Sequence, residues 1–309
     1  MMILVTGGTG FIGKRLVDKL AKSGNKIRIL SSKKNLQHSY KGSVEFIYHD
    51  LMKDEITKNI LIGCDTIYHL AGYAHDLKSN SNINHKYWQL NVDATINLAK
   101  MAVHCGVKKF IFVSSVKAGG NFNLNREITE KDQKNPEDIY GITKREAEIR
   151  LFEIGLKTGL FVSIIRPSLI YGPGVKGNLR LMLSGIDNGW FPPLPETGNF
   201  RSLIHVDDVV DAIFLLKNDD RAKGEIFIAT DGVAYSTRDI YISMCKFLGK
   251  PMPLWSVPKF FISFLSFMSP AFKHKINKLN SNELYSNKKL ESIGFQSKNT
   301  LGEVNEKSF

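Results

Sequence analysis

The chain has 309 residues, 43% of them hydrophobic and 23% charged, with a formal net charge of +12. That length suits one large α/β domain or a domain with a smaller appendage, and the ordinary apolar content excludes a disordered chain. The cations are scattered, with no basic helix or aromatic-interleaved patch, which argues against nucleic acid. The charge fits either small anionic ligands such as nucleotide diphosphates or a Lys- and Asn-rich background without functional meaning.

Met2 to Thr6 is a short apolar run and reads as a buried strand. "TGGTGFIGKR" (6–15) follows at once. Gly8, Gly10 and Gly13 make a G-x-G-x-x-G, while Gly8, Gly13 and Lys14 nearly make a P-loop. The P-loop reading fails at Arg15, where a Mg²⁺-binding hydroxyl is needed. Phe11–Lys22 carries Ile12, Leu16, Val17 and Leu20 at helical spacing. The glycines therefore sit in a strand-to-helix turn, where bare backbone can approach a pyrophosphate at a helix N-terminus. No signal peptide is expected, since the apolar start runs straight into the glycines.

Further strands are expected at 26–30, 44–48, 66–70, 109–114 and 161–166, with helices at 87–105 and 140–157 between them. This βαβα order predicts an α/β fold: a Rossmann-like, doubly wound parallel sheet with a smaller C-terminal substrate-binding part. Residues 1–171 form the dinucleotide-binding domain in this reading, with returning elements around 201–230, and 172–309 mainly the substrate-binding part. Arg201–Asp208 leads into an apolar helix over 209–217, Gly224–Ala229 reads as one more strand, and Ser236-Thr-Arg-Asp239 fits a capping box. Cys64, Cys105 and Cys245 match no metal or redox spacing, so no metal is expected and the thiols read as buried and free in a reducing cytoplasm. Phe260–Met268 is strongly apolar but too short for a transmembrane segment. Lys259, Lys273, Lys275 and Lys278 flank it; a core or interface helix is preferred over membrane-surface contact by 259–278.

Tyr140-Gly-Ile-Thr-Lys144 carries the chemistry. Tyr and Lys four apart share a helix face, and a nearby ammonium is expected to lower the Tyr pKa towards neutrality. Such a Tyr can move the proton of a carbinol while a nicotinamide moves the hydride. The strand at 110–115 ends in Ser114 and Ser115, a hydroxyl able to bond the same oxygen.

With these residues in place, the chain resembles the extended short-chain dehydrogenase/reductases of the nucleotide-sugar epimerase/dehydratase family. The resemblance rests on "TGGTGFIG" (6–13), "HLAG" (69–72), "NVDATINLAKMA" (91–102), "FIFVSS" (110–115), "YGITK" (140–144), "IIRPSLIYGPG" (164–174) and "RSLIHVDDVVDAI" (201–213). It implies that Gly7, Gly10, Phe11 and Ile12 cradle the cofactor diphosphate, that Asp50 and Leu51 flank the adenine, and that Leu70, Ala71, Gly72 and Asn91 line the nicotinamide side. It implies that Tyr140 is the acid/base, that Lys144 binds the ribose and tunes Tyr140, and that Ser115 bonds the reacting oxygen. Asn178 and Arg201 match positions that hold the substrate diphosphate, and His205 braces a turn. A homodimer is implied as well.

Departures from the family pattern narrow the expectation. The second strand ends Leu30-Ser-Ser-Lys-Lys34 without a carboxylate. Ser31, Ser32, Lys33 and Lys34 can take a 2′-phosphate, which tilts the cofactor from NAD(H) towards NADP(H), although the two lysines also read as solvated loop charges. Val116 and Lys117 stand where the 4,6-dehydratases carry an Asp-Glu pair, so dehydration is not expected. Leu169 replaces an Asn common in 4-epimerases, and the wording at 115–120 and 171–178 is closer to a bacterial branch in surface-polysaccharide synthesis. The expected function is carbon-4 redox chemistry on a nucleotide sugar, presumed UDP-linked, with reduction of a 4-keto-6-deoxy sugar slightly preferred over 4-epimerisation. A non-catalytic dinucleotide-binding protein is the third alternative, opposed by the intact Ser115, Tyr140 and Lys144.

Overall fold

The computed structural model describes residues 2–33, 43–74, 83–122, 124, 126–258, 260, 282–303 and 308–309. Lys34, Lys259, the apolar run after Phe260 and the lysines at 273, 275 and 278 lie outside the described residues.

The elements alternate along the first two thirds of the chain: β1 (Met2–Thr6), α1 (Phe11–Lys22), β2 (Lys26–Ser31), β3 (Val44–Tyr48), α2 (Lys58–Leu61), β4 (Cys64–His69), α3 (Ile83–Trp88), a π-turn (Gln89–Asp93), α4 (Ala94–His104), β5 (Lys109–Val113), a 3₁₀ turn (Val116–Gly119), α5 (Ile139–Thr158) and β6 (Phe161–Pro167). They are followed by β7 (Leu169–Tyr171), α6 (Gly177–Asp187), β8 (Arg201–His205), α7 (Val206–Asn218), β9 (Glu225–Ala229), β10 (Ala234–Tyr235), α8 (Thr237–Phe247) and α9 (Lys288–Ser292). Seven strands form one sheet in the order β3-β2-β1-β4-β5-β6-β9, every pair parallel. The order reverses between β1 and β4, and a doubly wound sheet binds its ligand at the carboxyl ends of its strands beside such a point.

The strand pleat explains the two cores. Ile3 and Val5 of β1 point to one face and pack with Leu16 and Leu20 of α1 and Val209 and Ile213 of α7. Leu4 points to the other and packs with Leu98 and Ala102 of α4 and Leu151 of α5. All are buried, and each large aliphatic side chain contributes roughly 2 kcal/mol. A second sheet, β10-β8-β7, supports a separate cluster built from Tyr171, Met182, Leu203 and Met244. α7 begins at Val206 rather than Val209, because the His205 ring accepts from the Asp207 amide at 3.3 Å and caps the helix. The box at Ser236 and Asp239 caps α8 reciprocally. The helix expected over 87–105 begins at Ile83 and is interrupted by the π-turn.

Candidate active site

The turn after β1 is all backbone because nothing else fits. Gly7 has φ +70°, and a Cβ there would lie 2.7 Å from the Ala71 amide nitrogen. A Cβ on Gly13 would come within 2.1 Å of the Gly7 carbonyl oxygen. Gly10 precedes α1, and its N–H donates to that same carbonyl at 2.9 Å. No side chain caps α1. The first amides of the helix, carrying the positive end of its dipole, thus face an approachable glycine surface. Phe11 and Ile12 open the helix; Phe11 lies under the Arg15 guanidinium at 5.3 Å.

The ends of β1 and β4 are joined by a chain of polar groups. His69 Nδ1 lies 2.6 Å from Thr6 Oγ1 and its Nε2 lies 2.8 Å from Thr95 Oγ1. Thr95 gives its own proton to the Asn91 carbonyl at 2.8 Å. The imidazole must therefore donate from Nε2 and accept at Nδ1, which leaves Thr6 as donor to His69 and as acceptor from the Ala71 amide at 3.3 Å. Burial, and then the Lys144 charge, hold the His69 pKa down at about 3, so the ring stays neutral in this role. Leu70, which donates to the Thr6 carbonyl at 3.1 Å, Ala71 and Gly72 follow directly.

Asn91 sits inside the π-turn, fully buried. Its Oδ1 accepts from the Tyr73 amide at 2.7 Å, and its Nδ2 donates to the Tyr73 carbonyl and the Thr143 hydroxyl, both at 3.1 Å. It thereby ties the loop after β4 to α5.

α5 carries Tyr140 and Lys144. Asp138 caps it by accepting from the Gly141 amide at 2.8 Å. A Cβ on Gly141 would lie 2.6 Å from the Lys117 carbonyl oxygen, so this glycine lets the 3₁₀ turn after Ser115 rest against the helix. The Ser115 hydroxyl, which accepts from the Lys117 amide at 3.3 Å, also acts on the Tyr140 phenol, working to lower its pKa. Lys144 is buried; its Nζ donates to the Val113 carbonyl at 2.8 Å and lies 4.4 Å from the Phe112 ring centroid. A Cβ on Gly72 would stand 3.1 Å from that Nζ and 3.3 Å from Asn91 Oδ1. Burial lowers the Lys144 pKa to about 8, opposed by Glu148. The expected lowering of Tyr140 is not what the structure shows. Burial pushes its phenol up to about 12, and the Ser115 hydroxyl works against this. The ammonium is turned to the Val113 carbonyl.

Gly7, Gly10, Leu70, Ala71, Gly72, Asn91, Ser115, Tyr140 and Lys144 are thus brought to adjoining parts of the sheet's carboxyl edge. The other candidates lie further out. Ser31 ends β2, and its Oγ accepts from the Lys33 amide at 3.2 Å; Lys33 is exposed. Asp50 follows β3 and accepts from the Met52 amide at 3.0 Å, while Leu51 packs against the core. Asn178 is exposed on the first turn of α6. Arg201 opens β8, and its backbone pairs with that of Glu283 in an isolated parallel β-bridge; the Glu283 carboxylate accepts from Lys117 at 2.6 Å, two residues from Ser115.

A model of the NAD dependent epimerase/dehydratase family matches residues 3–229. The chain belongs to this family. It is 34% identical over 262 residues to UDP-glucose 4-epimerase of Vibrio cholerae, covering 83% of this chain and 78% of the relative. It is 29% identical over 262 residues to N-acetyl-alpha-D-glucosaminyl-diphospho-ditrans,octacis-undecaprenol 4-epimerase of Escherichia coli O157:H7, covering 83% and 75%. Among solved structures, UDP-glucose 4-epimerase of Thermotoga maritima with UDP-glucose superposes with a TM-score of 0.80 at 22% identity, covering 99% and 96% of the two chains. The family's dinucleotide fits the residues present, since the glycine turn offers bare backbone and an uncapped helix N-terminus. Reasoning from sequence missed five partners of this site: Thr6, His69, Thr95 and Thr143, which complete its hydrogen bonds, and Glu148, whose charge opposes the lowering of the Lys144 pKa. Thr143 lies within the motif "YGITK" and His69 within "HLAG", but nothing in those strings shows which groups they bond.

Proposed function

We propose that the protein interconverts the C4 epimers of a UDP-linked hexose or N-acetylhexosamine, using a nicotinamide dinucleotide that is regenerated within each turnover. The observation that carries this choice over net reduction is the extensive identity to a UDP-glucose 4-epimerase. Gly7, Gly10, Phe11 and Ile12 hold the cofactor diphosphate at the start of α1. Asp50 and Leu51 flank the adenine. Leu70, Ala71, Gly72 and Asn91 line the nicotinamide side, and Lys144 meets the ribose. When bound, the dinucleotide supplies a hydride acceptor and donor and, in its oxidised form, a positive charge.

The chain's own residues handle the proton and the positioning. Tyr140 takes the proton of the C4 hydroxyl as C4–H is given up, and returns it when hydride reaches the opposite face, so the net change is an inverted carbon. Ser115 bonds the same oxygen and holds the Tyr140 hydroxyl on it. Deprotonating a phenol near pKa 12 at neutral pH costs roughly 7 kcal/mol, so Tyr140 works as a base only once a cationic partner reaches it. Asn178 and Arg201 hold the substrate diphosphate, with Arg201 suited by its planar fork. Lys117, where dehydratases carry an acid, is paired with Glu283. The site is assigned to a cytoplasmic homodimer.

A second reading is net reduction of a 4-keto-6-deoxy sugar by NADPH. It is favoured by the end of β2, where the Ser31 hydroxyl and Lys33 share one turn and no carboxylate follows the strand. The test supplies UDP-glucose and UDP-N-acetylglucosamine to the purified protein and follows the sugars by NMR. Appearance of the galacto isomers without net cofactor change supports epimerisation. Turnover of a supplied 4-keto-6-deoxy sugar with NADPH oxidation, and none of the epimers, replaces it with the reductase.

A further inference from the structure

We propose that Arg15 is a positioning residue for the substrate diphosphate: it locks the turn at 172–176, which leads to Asn178, against the cofactor cradle. The inference rests on the proposed role of Asn178. Arg15 is the residue that breaks the P-loop pattern after Gly13 and Lys14. Its guanidinium engages three segments of the chain, one through each nitrogen. Nη1 donates to the Phe11 carbonyl at 3.2 Å, Nη2 donates to the Pro173 carbonyl at 2.6 Å, and Nε lies 3.1 Å from Asp207 Oδ1. The group also lies over the Phe11 ring. Hydrogen bonds from a charged donor are among the stronger ones, and the planar fork fixes all three directions together.

The three segments belong to the two halves of the site. Phe11 opens α1, where the cofactor diphosphate is held, and it packs against the substrate-side cluster that contains Tyr171, Val175 and Leu179. Asp207 stands in the first turn of α7, directly after β8. Pro173 lies between Gly172 and Gly174, at φ +136° and +83°. A Cβ on Gly172 would come 2.5 Å from Val206 Cγ1 and 3.2 Å from His205 Nε2, so the turn is pressed onto the junction of β8 and α7. The Val175 amide closes the turn by donating to the Gly172 carbonyl at 3.0 Å. α6 then begins at Gly177, with Asn178 in its first turn. The connection is short, so a shift of Pro173 carries Asn178 with it, and small misplacements of a binding group are costly. Lys19, one turn further along α1, provides the contrast: its partners, Asp211 and the Phe214 ring, both lie on α7.

The test is calorimetric titration of UDP into the whole protein in the presence of saturating NAD⁺. Arg15→Met keeps an apolar stem beside Phe11 and should bind UDP about tenfold more weakly. Arg15→Lys keeps the charge but cannot serve all three acceptors, so it should fall between Met and the parent. Lys19→Met loses an ion pair between the same two helices and should bind UDP like the parent. NADH binding, followed by its fluorescence, should be the same in Arg15→Met and the parent. Asn178→Ala should also weaken UDP binding, and combining it with Arg15→Met should give a loss smaller than the two losses together, because one acts through the other. Circular dichroism checks that each variant is folded. Undiminished UDP binding by Arg15→Met, strictly additive losses, or an equal loss in Lys19→Met would overturn the inference. So would a loss of NADH binding as large as that of UDP, which would assign Arg15 to the cofactor. A parent that binds no UDP, or an Asn178→Ala variant that binds it like the parent, overturns the proposed role of Asn178 and this inference with it.

Discussion

Lys144 offers the sharpest quantitative test of the site. It is 3% exposed, and burial lowers its pKa from 10.5 to about 8. The folded protein therefore holds this proton less tightly than the unfolded chain does. Below about pH 8 both states are protonated and the full penalty applies: some 2.5 pKa steps, or about 3 kcal/mol. Between about pH 8 and 10.5 the folded state releases its proton first, and stability contributed at this position rises with pH. Lys144→Met keeps the length of the side chain and removes the titration. It also orphans the Val113 carbonyl, but that cost does not depend on pH. The stability difference between variant and parent should therefore move against the variant by about 2 kcal/mol between about pH 7 and 9.5. Urea unfolding of both proteins at the two pH values measures this directly, because the titrations they share cancel. A difference that stays flat would mean that Lys144 is solvated, and the enclosed site described here would be wrong.

Three further outcomes follow from the geometry. Tyr140→Phe should lose about 10² to 10⁴ of the turnover seen by NMR while costing about 1 kcal/mol of stability through the lost Ser115 interaction; retained turnover would remove Tyr140 from the chemistry. Gly141→Ala places a Cβ 2.6 Å from the Lys117 carbonyl oxygen and should cost about 1–3 kcal/mol, with turnover falling further than the unfolded fraction explains because Ser115 is displaced. Glu148→Gln leaves the Arg166 guanidinium, 2% exposed, without its buried carboxylate and should cost about 3–5 kcal/mol in thermal or urea unfolding. It also removes the group that raises the Lys144 pKa, so Lys144 should titrate lower still.

The parts of the site that could be read from the sequence are those fixed by short-range rules. A strand, a glycine turn and a helix must follow one another to make the cradle, and Tyr and Lys four apart must share a face of α5. The capping box at Ser236 is local in the same sense. The parts that stayed hidden depend on contacts between distant segments. β7 and β10, three and two residues long, carry no periodicity and exist only because β8 runs between them. The direction of the Tyr140 shift follows from burial by the packed chain, which outweighs any effect of a lysine whose ammonium is held by Val113.

The π-turn shows the same limit at the centre of the site. Residues 83–104 keep apolar spacing on both sides of it, so the pattern reads as one helix, yet the hydrogen bonding slips by one residue across Gln89–Asp93. Such a slip rotates one side chain out of the register of its neighbours and is common at functional sites. Asn91 lies within this turn, and its amide clamps both backbone groups of Tyr73 while reaching Thr143 on α5. Its backbone carbonyl meanwhile fixes Thr95, and through Thr95 the tautomer of His69. One irregular turn thereby sets the position of the β4 edge against the helix that carries Tyr140 and Lys144. A straight helix could satisfy the apolar pattern equally well, but it would present residue 91 in a different register, and the link between the cofactor cradle and the proton-handling pair would be lost.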